Sequence, residues 1–127
     1  MPKQTLQVLS DHFVIHSLPS DAVIPQAVFS ATVYFIGKTQ DELSIVVPDN
    51  IAIQSEDSDR DWRALEVLGP LNLSMVGIMA QIGSVLAAAK ISIFVVSTFE
   101  TDFFLVKEHD LTNATKALSK NGYKVMV

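Results

Sequence analysis

Cysteine is absent from the 127 residues, which excludes disulfide scaffolds, thiol catalysis and cysteine-based zinc sites together and fits a reducing compartment. Basic clusters are missing too. Nine Lys and Arg stand against fourteen Asp and Glu, for a formal net charge of −5, and the one acidic run, Glu56 to Asp61, repels a polyanion; nucleic acid is not expected as a partner. Glycine is scarce, and Gly69, Gly77 and Gly83 lie too far apart for a phosphate-cradling loop, so no nucleotide cofactor is expected. The three histidines, His12, His16 and His109, lack metal-ligand spacing. No serine has a G-x-S-x-G context and no Ser, His and Asp set converges. Catalytic residues, cofactors and metals are therefore all expected to be absent, and the chain reads as a non-enzyme.

A long uninterrupted apolar run is also missing. Leu73 to Val96 is the most apolar segment, but Gln81, Ser84, Lys90 and Ser92 divide it, and its period changes from helical to extended near Lys90. It reads as a buried helix followed by a buried strand, not a membrane span. At the start, Met1 to Thr5 is polar and Gln7 and Ser10-Asp11-His12 interrupt the first apolar stretch, so no signal-peptide core is seen and the expected location is cytoplasmic.

What is present is the material of a folded α+β protein: 49% hydrophobic and 18% charged residues in 13.9 kDa, enough apolar surface to offset chain entropy. Trp62 to Leu68 alternates as a strand, and Gly69-Pro70 stops it. Ser74 is a good N-cap for a helix over Met75 to Ala89, with Met75, Met79, Ile82 and Leu86 at helical spacing. Ile91 to Ser97 and Phe103 to Lys107 form a hairpin of buried strands across Thr98 to Asp102. Asp110 caps a second helix with Leu111, Ala114 and Leu118 on its inner stripe; Asn121-Gly122 closes it, and Tyr123 to Val127 is a last strand. The order is βαββαβ, the ferredoxin-like plan. The first sixty residues read as a shortened, ββ-rich copy, because Phe35 to Val47 lies over Val95 to Lys107 without a gap and Pro19 lies over Pro70. Two domains are thus expected, 1–60 and 61–127, joined through a polar, exposed Gln54 to Asp61.

A right-handed crossover brings the turn after the first strand of the complete unit to the same end of the sheet as the hairpin tip. The free N–H groups of Met75, Val76 and Gly77 and the helix dipole suit a carboxylate. Asp102, Thr98 and Phe99 suit an ammonium group and an apolar side chain. Together they outline a zwitterion site. Each residue also has a plain structural reading: Ser74 as cap, Gly77 as a close-packing position, Asp102 as a turn residue and Thr98 as a hairpin partner. The helix is apolar around most of its circumference, which implies a second packing surface and favours a homodimer.

The run Trp62-Arg63-Ala64-Leu65-Glu66-Val67, then Gly69-Pro70-Leu71, Ser74-Met75-Val76-Gly77-Ile78 and Ser92 to Asp102 with its Ser-Thr-Phe-x-x-Asp hairpin, resembles the CASTOR-type ACT domain family and is similar to the ACT pair of aspartokinases. The resemblance covers about the whole chain and is strongest from Trp62 to Lys107. It implies a regulatory module that binds an amino acid between paired domains, with Ser74, Val76, Gly77 and Ile78 from the helix start and Ser97, Thr98, Phe99 and Asp102 from the hairpin as ligand-binding residues. The animal members sense arginine through this hairpin. Here the array is shorter and position 101 is Thr where those sensors carry an aromatic residue, so the ligand's identity stays open. The alternative is a structural or protein-interaction ACT module with a vestigial cleft; a small enzyme on the same scaffold is a third reading.

Overall fold

The structure, a computed structural model, describes residues 3–69 and 76–127. The chain separates into two compact units, one made of the residues up to Ser10 together with Arg63–Val127, the other of Asp11–Trp62. This division differs from a cut at residue 60. Two long strands, β1 (Thr5–Leu18) and β4 (Asp57–Gly69), each give one half to either unit, so the first residues of the chain belong with the last ones.

In the larger unit β4 is followed by α1 (Ile78–Ala88), β5 (Phe94–Ser97), β6 (Asp102–Lys107), α2 (Leu111–Lys120) and β7 (Lys124–Met126), which is the βαββαβ order read from the sequence. The strands run β7-β1-β4-β6-β5. β5 and β6 form an antiparallel hairpin, and β7 pairs in parallel with Thr5 to Gln7 of β1. The first half of β1 thereby occupies the place beside β7 that β4 would hold in a four-stranded plan. Arg63 fixes this arrangement: it donates to the Leu9 carbonyl at 3.1 Å and pairs with Glu108 at 3.1 Å.

The core of this unit follows from periodicity. Leu6 and Val8 of β1, Leu65 and Val67 of β4, and Phe104 and Val106 of β6 recur at every second residue, as one face of a pleated sheet requires. Ile82 and Leu86 of α1 and Ala114 and Leu118 of α2 cover that face, each buried completely. Burying a large aliphatic side chain of this kind stabilises by about 1.5–3 kcal/mol. Both helices end in the same way. Ile91 N–H donates to Leu86 and Lys90 N–H to Ala87; Tyr123 N–H donates to Leu118 and Gly122 N–H to Ser119. These are Schellman closures, and in each the residue past the cap is left-handed, Gly122 at φ 92° and Lys90 at φ 61°.

Several sequence expectations shift by a turn. α1 begins at Ile78, not Met75, with Gly77 at the N-cap position in a left-handed conformation and no side-chain cap. Met79, expected on the inner stripe, lies exposed on the outside of α1, because a helix started at Ile78 turns Ile82 and Leu86 inward. Asp110 stands at the N-cap of α2 without a capping bond; its carboxylate lies 3.5 Å from His109. β5 starts at Phe94 rather than Ile91, since the Schellman closure uses the residues before it. β4 begins at Asp57, inside the stretch expected to be a connection: its polar side chains face solvent while its backbone pairs in the sheet.

The smaller unit contains the second half of β1, β2 (Phe35–Lys38), β3 (Leu43–Pro48) and the first half of β4, in the order β2-β3-β1-β4. Leu18, Val28, Leu43, Ile45 and Val47 form its core. Where the larger unit has α1, this one has a single 3₁₀ turn, Gln26–Ser30, whose Val28 is fully buried. No helix among the described residues is long and apolar enough to cross a membrane.

Candidate ligand site

The β5–β6 hairpin is organised by short-range hydrogen bonds. Its first rung pairs Ser97 with Asp102, and the Ser97 hydroxyl donates to Asp102 Oδ1 at 2.6 Å. Across the tip, Thr98 N–H donates to the Thr101 carbonyl at 2.8 Å and Thr101 N–H to Thr98 Oγ1 at 3.3 Å. A Thr hydroxyl that accepts from the backbone N–H three residues on substitutes for a ladder bond and stiffens the turn. The tip is also tied to β4: the Thr101 hydroxyl donates to the Val67 carbonyl.

That last bond sets the geometry of the site. Val67 lies two residues before the end of β4, so the hairpin tip and the end of β4 share one end of the sheet. α1 follows β4 in the chain after residues 70–77. Thr101 is the residue that sequence reasoning missed, an unassigned position of the Ser-Thr-Phe-x-x-Asp run. Its spacing of three from Thr98 was the available signal.

The nominated residues divide into groups. Ser97, Thr98, Phe99 and Asp102 stand together on the hairpin, with the Phe99 ring 90% exposed. Val76, Gly77 and Ile78 stand together at the start of α1, Val76 being 85% exposed and Ile78 packed on the core. Ser74 lies outside the described residues. With Gln81 N–H as the first to bond within the helix, to Gly77 at 2.8 Å, the donors with no intrahelical acceptor are those of Gly77, Ile78, Met79 and Ala80. The set at Met75 to Gly77 expected from sequence is displaced by about one turn. Among the described residues, a Cβ on Gly77 would meet Gln81 Nε2, at 3.9 Å, an ordinary van der Waals contact.

The histidines are placed elsewhere. His16 is buried and hydrogen-bonded to Ser55, and His109 is beside Asp110. Among the described residues no three His, Asp or Glu side chains gather as a metal site.

The ACT domain family profile matches residues 57–120. The cytosolic arginine sensor for mTORC1 subunit 1 of Mus musculus is 31% identical over 121 residues, 87% of this chain, and the human protein is 30% identical over 118 residues. The chain spans 36% of the length of either sensor. Among solved structures, a protein from Agrobacterium tumefaciens superposes with a TM-score of 0.91 at 31% identity, covering 99% of this chain and 94% of that one. The regulatory subunit of aspartate kinase from Thermus thermophilus, in its ligand-free form, superposes with a TM-score of 0.68 at 14% identity over 94% and 98% of the two chains, a likeness of fold. With half its length matched by the family profile and the βαββαβ unit in place, this chain belongs to the ACT domain family.

Proposed function

We propose that the larger unit is a regulatory module that binds a small metabolite, an amino acid, without transforming it. The observation that carries this reading is the Thr101–Val67 bond, which holds an acidic hairpin tip at the end of β4, the strand that precedes α1 in the chain. Asp102 supplies a carboxylate for an ammonium group and Phe99 an exposed ring for a side chain. Ser97 and Thr98 orient that tip, and the helix start at Val76, Gly77 and Ile78, with its intrahelically unused donors from Gly77 onward, suits a carboxylate. Ser74 belongs to the same proposal. The relatives add weight: one group is named for cytosolic arginine sensing, and others are regulatory parts of aspartate kinase. A cytoplasmic location is carried over from that name.

Two further parts belong to the reading. The smaller unit is inferred to be a reduced copy of the larger. Both hairpins have four-residue tips closed by the same bonds: Thr39 N–H donates to Glu42, and Glu42 N–H to Thr39 Oγ1, as at Thr98 and Thr101. Pairing Lys38 with Leu43 and Ser97 with Asp102 aligns the copies at an offset of 59 residues, one fewer than the match of Phe35 to Val95 implies. The functional form is inferred to be a homodimer, since the outer face of α1 exposes Met79, Ala80, Ala87 and Ala88 and β5 ends the strand order.

One observation favours a second reading. Asp102 Oδ1 is already engaged by Ser97, which suits a hairpin built for rigidity in an interaction module with a vestigial cleft. A thermal-shift screen with the common amino acids separates the two. A ligand at 100 times its dissociation constant adds about 2.7 kcal/mol. Asp102→Ala should abolish that response while the unliganded fold persists; a screen in which no amino acid moves the melting temperature rejects the sensor.

A further inference from the structure

The smaller unit contains an open pocket of 450 Å³ that the reading above does not use, lined by two chain segments, Leu18, Pro19, Ala22, Val23 and Pro25 from one and Gln54, Ser55 and Glu56 from the other. That volume lies within the range of small-molecule sites. Behind Ser55 stands His16, 4% exposed, whose Nδ1 is 2.8 Å from Ser55 Oγ and whose Nε2 is buried without a hydrogen-bond partner.

This pair determines what Ser55 can offer. Were the proton on Nε2, the ring would bury an unsatisfied N–H donor; with the proton on Nδ1, it buries only an unused lone pair, the less costly of the two. The Nδ1–H therefore donates to Ser55 Oγ. Ser55 then keeps its own hydroxyl proton as a donor for the pocket. Burial, and next the nearby Arg60 charge, lower the His16 pKa and keep the ring neutral, as this arrangement needs. Glu56 is the one charged residue of the lining, and it is anionic. The pocket lining thus combines a hydrogen-bond donor and a negative charge from the second segment with the aliphatic surface of two prolines, Leu18, Ala22 and Val23 from the first.

We propose that this pocket is a second ligand site, selective for a small molecule carrying an ammonium group, a carbonyl acceptor and a short aliphatic body. The ammonium pairs with Glu56, the carbonyl accepts from Ser55, and the aliphatic part packs on Leu18, Ala22 and Val23. His16 is a positioning residue that acts through Ser55.

Leucinamide is the probe, followed by amide NMR of the full chain. It should shift the signals of Gln54 to Glu56 and of Ala22 to Ile24 in a saturable manner, leaving those of Ser97 to Asp102 unmoved. That pattern also keeps this site's failure distinct from failure of the hairpin site. 4-Methylpentanamide, which lacks the ammonium, and 3-methylbutylamine, which lacks the carbonyl, should each bind about two- to tenfold more weakly, the loss expected for one exposed ion pair or one neutral hydrogen bond. Glu56→Gln should weaken leucinamide and leave 4-methylpentanamide unchanged, while Ser55→Ala should weaken leucinamide and leave 3-methylbutylamine unchanged. Nitrogen-15 spectra of the ring should show His16 protonated on Nδ1. Absence of saturable shifts at the pocket, a Glu56→Gln effect equal for all three compounds, or a ring protonated on Nε2 overturns the proposal.

Discussion

His16 shows how one buried side chain makes stability depend on pH. Its pKa is lowered from the ordinary 6.5 by burial and then by Arg60, so the unfolded chain takes up a proton at a higher pH than the folded one. Between the two pKa values the unfolded state binds more protons, and stability rises with pH there. The contribution is complete above the unfolded value and lost as pH falls through the folded one. Denaturant midpoints should therefore decline as pH falls below about 6.5, and His16→Gln should flatten that part of the profile; an unchanged slope in the variant assigns the decline to other groups. Lys90 is a second informative residue. It occupies the left-handed position of a Schellman closure, at φ 61°, where Gly122 stands in the other helix. Left-handed geometry costs an L-residue about 1–2 kcal/mol, part of which a glycine returns through its freer unfolded state. Lys90→Gly should stabilise by a net of about 0.5–1 kcal/mol in a thermal melt, and destabilisation would show that the Lys side chain makes a contact worth more than the strain.

At the scale of elements, the β5–β6 hairpin depends on Thr101. Thr101→Val keeps the shape and removes the donor to Val67, so a loss of about 1 kcal/mol is expected, together with faster amide exchange at Thr98 and Thr101 and a weaker amino-acid response. Normal exchange at the tip would mean that the Thr98 bonds alone hold it. The same elements show what a sequence reveals of a fold. The βαββαβ order, the two-sided burial of Phe103 to Val106 and the stripe of Ala114 and Leu118 were legible, because burial writes its period directly into the chain. The start of α1 was not. Ser74 and Gly77 both suit an N-cap, and local preference cannot choose between them when packing of Ile82 and Leu86 sets the phase of the helix. Nor was the extent of β4 legible, since Asp57 to Asp61 carries no apolar alternation and its pairing is a backbone matter. The hairpin's polar residues were visible, but the tie from Thr101 to β4 joins positions 34 apart and has no local signature. The His16–Ser55 pair, 39 apart, was hidden in the same way.

At the scale of the whole molecule, the exposed outer face of α1 makes self-association measurable. Ala80 and Ala87 lie one heptad apart on that face, both exposed. Ala80→Glu combined with Ala87→Glu places like charges on any α1-mediated contact, and sedimentation should then show a monomer at concentrations where the parent chain is a dimer. A parent chain that sediments as a monomer at high concentration removes the homodimer from the proposal.

The sharing of β1 and β4 has a practical corollary for anyone who wishes to isolate the larger unit, the half proposed to bind a metabolite. A fragment starting near residue 61 would discard Leu6 and Val8 from its hydrophobic interior and leave β7 without the strand it hydrogen-bonds. No single scission yields that half intact; only a splice joining Ser10 to Arg63 through a short linker, excising everything between, preserves both chain passes that its architecture requires.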